Sequence, residues 1–287
     1  MVFLSGLMAV LVLVVGIVIR IAAAQHRMND VFSVPSGTKV VCIGNSHTGC
    51  TWYESAEFSN RVLWTSATGF SSHYMRFREF ERRGVFDGGV KYCIVDCDGP
   101  CFNGFSDKGI QKRFVKDLPF SWRYCSNLPV SILRLAVYVL RHASDDFSLD
   151  EKPPEQVPDW TTRTKEEQMS NIIGQYGKTP SDWKTGFADD WQDSLLWMIG
   201  DMKRRCELHG VKLICFAAPL TTASPSRNNI MLWERETRLI ERVKALGIEY
   251  YDFRTSCADN LFRDSHHLLK NTSYDFTKRF FKEVLKL

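Results

Sequence analysis

The sequence predicts an α/β fold: a five-stranded, doubly wound parallel sheet with helices on both faces, preceded by an apolar N-terminal helix. Three observations carry this expectation. Short apolar runs alternate with longer segments whose apolar residues recur at helical spacing. The runs are apolar nearly throughout, as strands covered on both faces must be, rather than at every second residue. Glycines fall where the helical segments should stop.

Lys39 to Ile43 is the first expected strand and Arg61 to Thr65 the second. Ser71 to Arg83 reads as a helix closed by Gly84, and Val90 to Asp96 as the third strand. Phe187 to His209 carries Trp191, Leu195, Leu196, Ile199 and Met202 at helical spacing and ends at Gly210. Val211 to Phe216 is the fourth strand, broken by Pro219. Asn229 to Leu246 is a helix stopped by Gly247, Ile248 to Phe253 the fifth strand, and Asn271 to Lys286 the closing helix. Ligands of open α/β sheets bind beyond the carboxyl ends of the strands. The loops 44–50, 96–103, 217–226 and 254–267 are therefore expected to open on one edge. Residues 104–186 break the rhythm and read as an insertion that caps that edge or contacts a partner. Within it, Leu128 to His142 is apolar with a helical pattern, short for a membrane span and interrupted by Arg134.

Met1 to Ile19 contains no charged side chain, and Ile21-Ala22-Ala23-Ala24 carries the apolar run past Arg20. At about 1.5 Å per residue the run is long enough to cross a bilayer. The rival reading is a signal peptide with Ala22-Ala23-Ala24 as its small-residue site, which the missing basic n-region and the long apolar stretch weaken. The expected organisation is an anchor or uncleaved signal over 1–24, a juxtamembrane linker over 25–38 and a single domain over 39–287. Arg20 and Arg27 follow the run and no Lys or Arg precedes it, a two-charge vote for a cytoplasmic domain.

The net charge of +4, without a dense Lys/Arg run, gives no reason to expect nucleic-acid binding. Nine cysteines, an odd number at irregular spacing, argue against a disulfide framework. Cys93-x3-Cys97-x3-Cys101 lacks the spacing of zinc or iron–sulfur sites, so no metal is expected there. Asp96 and Asp98 read as strand-end solvation rather than a metal pair. His73 and His209 read as surface or packing residues, and Trp52, Trp122, Trp160 and Trp183 as packing or a carbohydrate platform.

Two short motifs carry chemistry. Gly44-Asn45-Ser46-His47 directly follows the first strand, and Asp264-Ser265-His266-His267-Leu268 precedes the closing helix. A serine in the first turn after a strand points its hydroxyl at the loop edge, where backbone N–H groups favour a developing oxyanion. It is also an ordinary place for a helix N-cap. In Asp-x-x-His the two side chains can share one side of a turn, so that the carboxylate fixes the imidazole tautomer. His266 competes with His267 for that place, but stands two residues from Asp264 rather than three.

Together these motifs resemble the SGNH (GDSL) hydrolase superfamily over about residues 39–103 and 187–287. The resemblance implies a three-layer α/β/α, flavodoxin-like fold and a Ser46–His267–Asp264 triad. It also implies an oxyanion site from the Ser46 N–H, Gly69 and Asn103, and no cofactor or metal. Asn45 stands where the family usually has Asp, Leu269 replaces a frequent Asn, and the family's Gly-x-Asn-Asp is absent. The implied activity is acyl-ester hydrolysis or O-acyl transfer on an acylated, chiefly O-acetylated, cell-envelope carbohydrate or another small ester. The apolar run makes the expected anchor a single pass, and the resemblance implies an extracytoplasmic domain, against the two-arginine vote. An envelope-assembly partner protein is a further expectation. The alternative is an anchored glycan-binding or assembly protein that keeps the fold around a degenerate site.

Overall fold

The computed structural model describes residues 8, 11, 15, 16, 32–64, 69–98, 159–176 and 193–287. The chain divides into two units, Met1–Ser33 with Gln111–Leu149 and Val34–Ile110 with Asp150–Leu287. In the first, Met8, Leu11, Val15 and Gly16 are helical. Among the described residues no helix is long and apolar enough to cross a membrane. The expected span over 1–24 otherwise lies outside the described residues, as do the 128–142 segment, Trp122 and Trp183.

The second unit contains a five-stranded parallel sheet: β1 (Val40–Gly44), β2 (Asn60–Trp64), β3 (Tyr92–Asp96), β4 (Lys212–Ala217) and β5 (Glu249–Asp252). Their order is β2-β1-β3-β4-β5. The register sets Cys42 beside Val62 and Ile94, and Ile94 beside Ile214. All five residues of β1 are buried, as a central strand covered on both faces requires.

The helices follow from this order. The chain moves one way from β1 to β2 and the other way through β3, β4 and β5, so right-handed crossovers place the connecting helices on opposite faces. One face carries α1 (Ser46–Thr51) and α7 (Lys270–Phe280). The other carries α2 (Phe70–Arg82), α4 (Asp193–Leu208) and α6 (Ile230–Ala245), with a short turn of helix, α5 (Pro225–Asn228), before α6. The structure is thus the three-layer, doubly wound arrangement expected, with strand and helix ends displaced by one or two residues where both ends are described. Helix Phe187–His209 is seen from Asp193, its first residues being outside the description. The closing helix changes from α to π geometry over Phe281–Leu285. From the expected insertion, the described residues 159–176 form a single 3-10 turn at Trp160–Thr162 and α3 (Lys165–Tyr176).

The core under α1 and α7 is aromatic. Trp52, one residue past α1 and 1% exposed, meets the rings of Phe216, Phe276 and Phe280 at centroid distances of 5.2, 5.6 and 5.0 Å. Trp160 from the insertion is equally buried and joins the same core with Ile172. Both tryptophans therefore pack rather than present a platform. Because Trp52 follows directly on α1, its burial fixes where that helix starts and ends. Trp52→Ala is expected to destabilise the protein by about 3–5 kcal/mol, read as a lowered urea midpoint with an unchanged slope. A loss below about 1 kcal/mol would show that α1 is held by other contacts.

Candidate active site

The turn from β1 into α1 is close-packed by necessity. A Cβ on Gly44 would stand 1.8 Å from Thr48 Oγ1 and 2.7 Å from Asp96 Cβ, so a larger residue cannot fit without moving the turn. Gly49 meets the Trp64 ring in the same way, at 2.4 Å. Asn45, rather than Ser46, is the N-cap: its side-chain oxygen accepts the His47 backbone N–H at 2.7 Å. That frees the Ser46 hydroxyl. Arg76, fully buried on α2, donates to the Gly44 carbonyl at 3.2 Å and braces the turn from the opposite face.

The second motif forms a small closed loop. Phe262 and Leu268 make an isolated antiparallel bridge, and the Arg263 N–H donates to the His267 carbonyl at 2.9 Å. Asp264 Oδ1 accepts the backbone N–H groups of His266 (3.0 Å) and His267 (2.9 Å). Neighbouring segments hold the loop in place. Both the N–H and the hydroxyl of Thr221, after β4, donate to the Ser265 carbonyl, and the Trp160 N–H donates to the Phe262 carbonyl at 2.7 Å. Arg263 reaches back to Cys50 Sγ on α1 at 3.4 Å.

The two motifs meet. His267 Nε2 lies 2.9 Å from Ser46 Oγ, and His267 Nδ1 lies 2.8 Å from Asp264 Oδ2. With the ring proton on Nδ1 donated to Asp264, Nε2 is left to accept the serine proton. Burial would raise the Asp264 carboxyl, but His267 and His266 together hold it well below the usual carboxylate range. Burial lowers His267, the His47 and Arg263 charges add to this, and Asp264 opposes it without prevailing. The resting pair is an ionised carboxylate beside a neutral imidazole. Such an arrangement can take a proton from the Ser46 hydroxyl and hold the resulting imidazolium.

A second His–carboxylate pair adjoins the first. His47 Nδ1 stands 2.5 Å from Asp98 Oδ2, and both residues are buried. Burial works against the His47 charge, but Asp98 first, then Asp96 and Asp264, push its pKa up to about 9. Asp96 and Asp98 are therefore not solvated strand ends: they are 0% and 6% exposed, beneath the serine turn. The β1–β3 pairing brings them there, because Asp96 ends the strand next to the one that carries Gly44. Two histidines contact the His47 ring, His266 at 4.8 Å and His267 at 5.6 Å between centroids. His266 is held well below its ordinary pKa, chiefly by burial, then by His267 and His47. His73 is fully buried on α2, with Nδ1 3.3 Å from the Asp96 carbonyl. His209 is partly exposed and pairs with Asp87.

Of the two remaining expected residues, Gly69 is buried as the N-cap of α2, at the same sheet edge as Ser46. Asn103 lies outside the described residues. The seven described cysteines are free thiols, and Cys93 and Cys97 are buried within and after β3. A groove of about 690 Å³ lies between α4 and α6, lined by Trp197, Arg204, Arg242 and Leu246 among others. None of the site residues lines it.

No protein-family model matches the sequence, and no curated protein matches it. Among solved structures, the chain is similar to a candidate acylhydrolase from Bacteroides fragilis, with 11% identity over 91% of this chain and 95% of that one, at a TM-score of 0.44. It is also similar to a GDSL-like lipase from Bacteroides thetaiotaomicron, with 11% identity over 93% of this chain and 98% of that one, at a TM-score of 0.42. At these values the likeness carries no weight for function, which must be argued from the site.

The His47 charge makes stability depend on pH in a defined sense. Its folded pKa is about 9, above the ordinary value of about 6.5. The stabilisation is thus complete below about pH 6.5 and lost as pH rises through about 9. Its size is roughly 3 kcal/mol. Urea unfolding at pH 6.5 and pH 10 is expected to show this loss in the unaltered chain and not in His47→Gln. Parallel profiles for the two proteins would mean that His47 is neutral when folded.

Proposed function

We propose that this protein is a serine-dependent acyl-ester hydrolase or O-acyltransferase of the SGNH type, with Ser46 as nucleophile, His267 as general base and Asp264 as its orienting carboxylate. One observation carries the reading: the unbroken chain of hydrogen bonds from Ser46 Oγ through both nitrogens of His267 to Asp264 Oδ2. The position of the serine at the start of a helix after the central strand of a doubly wound sheet supports it.

In this mechanism His267 removes the Ser46 proton as Oγ attacks the ester carbonyl. The tetrahedral oxyanion forms against the Ser46 N–H, with the Gly69 N–H and the Asn103 amide as the other donors; each such donor is worth about 3–4 kcal/mol of barrier. The imidazolium, stabilised by Asp264, then protonates the departing alcohol. The acyl group passes from Ser46 to water or to a carbohydrate hydroxyl. An acylated envelope carbohydrate is the proposed substrate. The charge-free run over 1–19 supports an anchored placement, and the extracytoplasmic side rests on the sequence resemblance alone.

The test is hydrolysis of a simple acetyl ester by the full chain beside Ser46→Ala, His267→Ala and Asp264→Asn. Ser46→Ala and His267→Ala are expected to lose at least about a thousandfold in kcat, and Asp264→Asn up to about ten-thousandfold through the wrong tautomer. Because His267 is held below its ordinary pKa, the acid-side fall of kcat/KM should lie at lower pH than that of an ordinary imidazole base. Equal background rates in all four proteins, with no acyl transfer to an added polysaccharide, would favour the anchored binding protein instead.

A further inference from the structure

The histidines at this site carry a pattern that serine chemistry does not require. One ring nitrogen from each of His47, His266 and His267 lies within 4.8 Å of the others, and all three residues are buried. Each Nδ1 faces an oxygen atom: Asp98 Oδ2 at 2.5 Å for His47, Ser265 Oγ at 2.9 Å for His266, and Asp264 Oδ2 at 2.8 Å for His267. Oxygen partners on one ring nitrogen fix the orientation of a histidine and raise the basicity of the other, the arrangement found behind metal-ligating histidines. The triad uses one of these three pairings and leaves His47–Asp98 and His266–Ser265 without a task.

The surrounding charge points the same way. Asp96, Asp98 and Asp264 are buried, and their charges bear on His47, with Arg263 as the positive side chain near Asp264, at 3.6 Å. Three imidazoles with an open position form a familiar zinc donor set.

We propose that His47, His266 and His267 bind a zinc ion through their Nε2 atoms, with water in the fourth position and Asp98, Ser265 and Asp264 holding the rings. Zn–N bonds of about 2.0–2.1 Å draw the nitrogens together, and any proton that a ring carries on Nε2 leaves to solvent as the ion binds. The consequence for activity rests on the triad reading above. His267 Nε2 cannot ligate zinc and accept the Ser46 proton at once, so zinc occupancy reversibly silences ester chemistry at this site.

Cobalt substitution reads the site without turnover. The full chain, stripped with a chelator, is titrated with cobalt chloride and then zinc chloride. One cobalt per chain is expected, with the intense visible bands of a four-coordinate ion, abolished by one equivalent of zinc. Asp98→Asn should weaken zinc binding about 10–100-fold, and His266→Gln at least about tenfold. Zinc should stop turnover of the unaltered chain and chelator restore it. Ser46→Ala should lose turnover yet keep the cobalt spectrum, so failure of the triad and failure of the metal site are separately visible. The proposal is overturned by a weak six-coordinate spectrum or none, or by Asp98→Asn and His266→Gln both binding zinc as the unaltered chain does.

Discussion

The buried carboxylate of Asp264 is the constraint on which the rest of the site depends. One of its oxygens accepts two consecutive backbone N–H groups and so closes the 264–267 turn. The other holds the ring of His267. A carboxylate taken out of water needs this many partners, and meeting that need is what orients the imidazole toward Ser46. The turn and the hydrogen bond to the serine are two results of satisfying one charge.

The sheet supplies the other half of the arrangement. Ser46 and His267 are 221 residues apart, and each is held by elements that have little to do with chemistry. Trp52 anchors the end of α1 in an aromatic core shared with α7. The Tyr53 N–H donates to Thr277 Oγ1 of α7 at 2.8 Å, and the Ser273 hydroxyl of the same helix donates to the Cys50 carbonyl. The helix that follows the histidine thus docks on the helix that begins with the serine. Positioning of this kind costs nothing at the moment of reaction, because folding has already fixed it.

Much of this architecture is legible in the chain. The three central strands show because apolar runs of four or five residues, as in β1, β3 and β4, have few other uses, and the helices end at Gly84, Gly210 and Gly247, all in left-handed conformation. The Asp-x-x-His spacing reveals the carboxylate–imidazole pair because both residues lie on one turn. The His47–Asp98 pair is hidden, since its members are 51 residues apart and meet only through the adjacency of β1 and β3. Its signal was present in an acidic residue at the end of the strand beside the serine-bearing one, but charge at a strand end ordinarily means water. Asn45 as the cap, rather than Ser46, is equally a matter of local geometry: either residue type can cap a helix, and the outcome decides whether the serine hydroxyl is free.

The proposed chemistry requires Ser46 to be an activated nucleophile. The direct measurement is treatment of the full chain with a fluorophosphonate ester, followed by mass-spectrometric mapping of the adduct, beside the His267→Ala variant. A single phosphonylated residue, Ser46, is expected, formed far more slowly in the variant. Absence of an adduct in the unaltered, metal-free protein, or labelling at a rate that ignores His267, would contradict it.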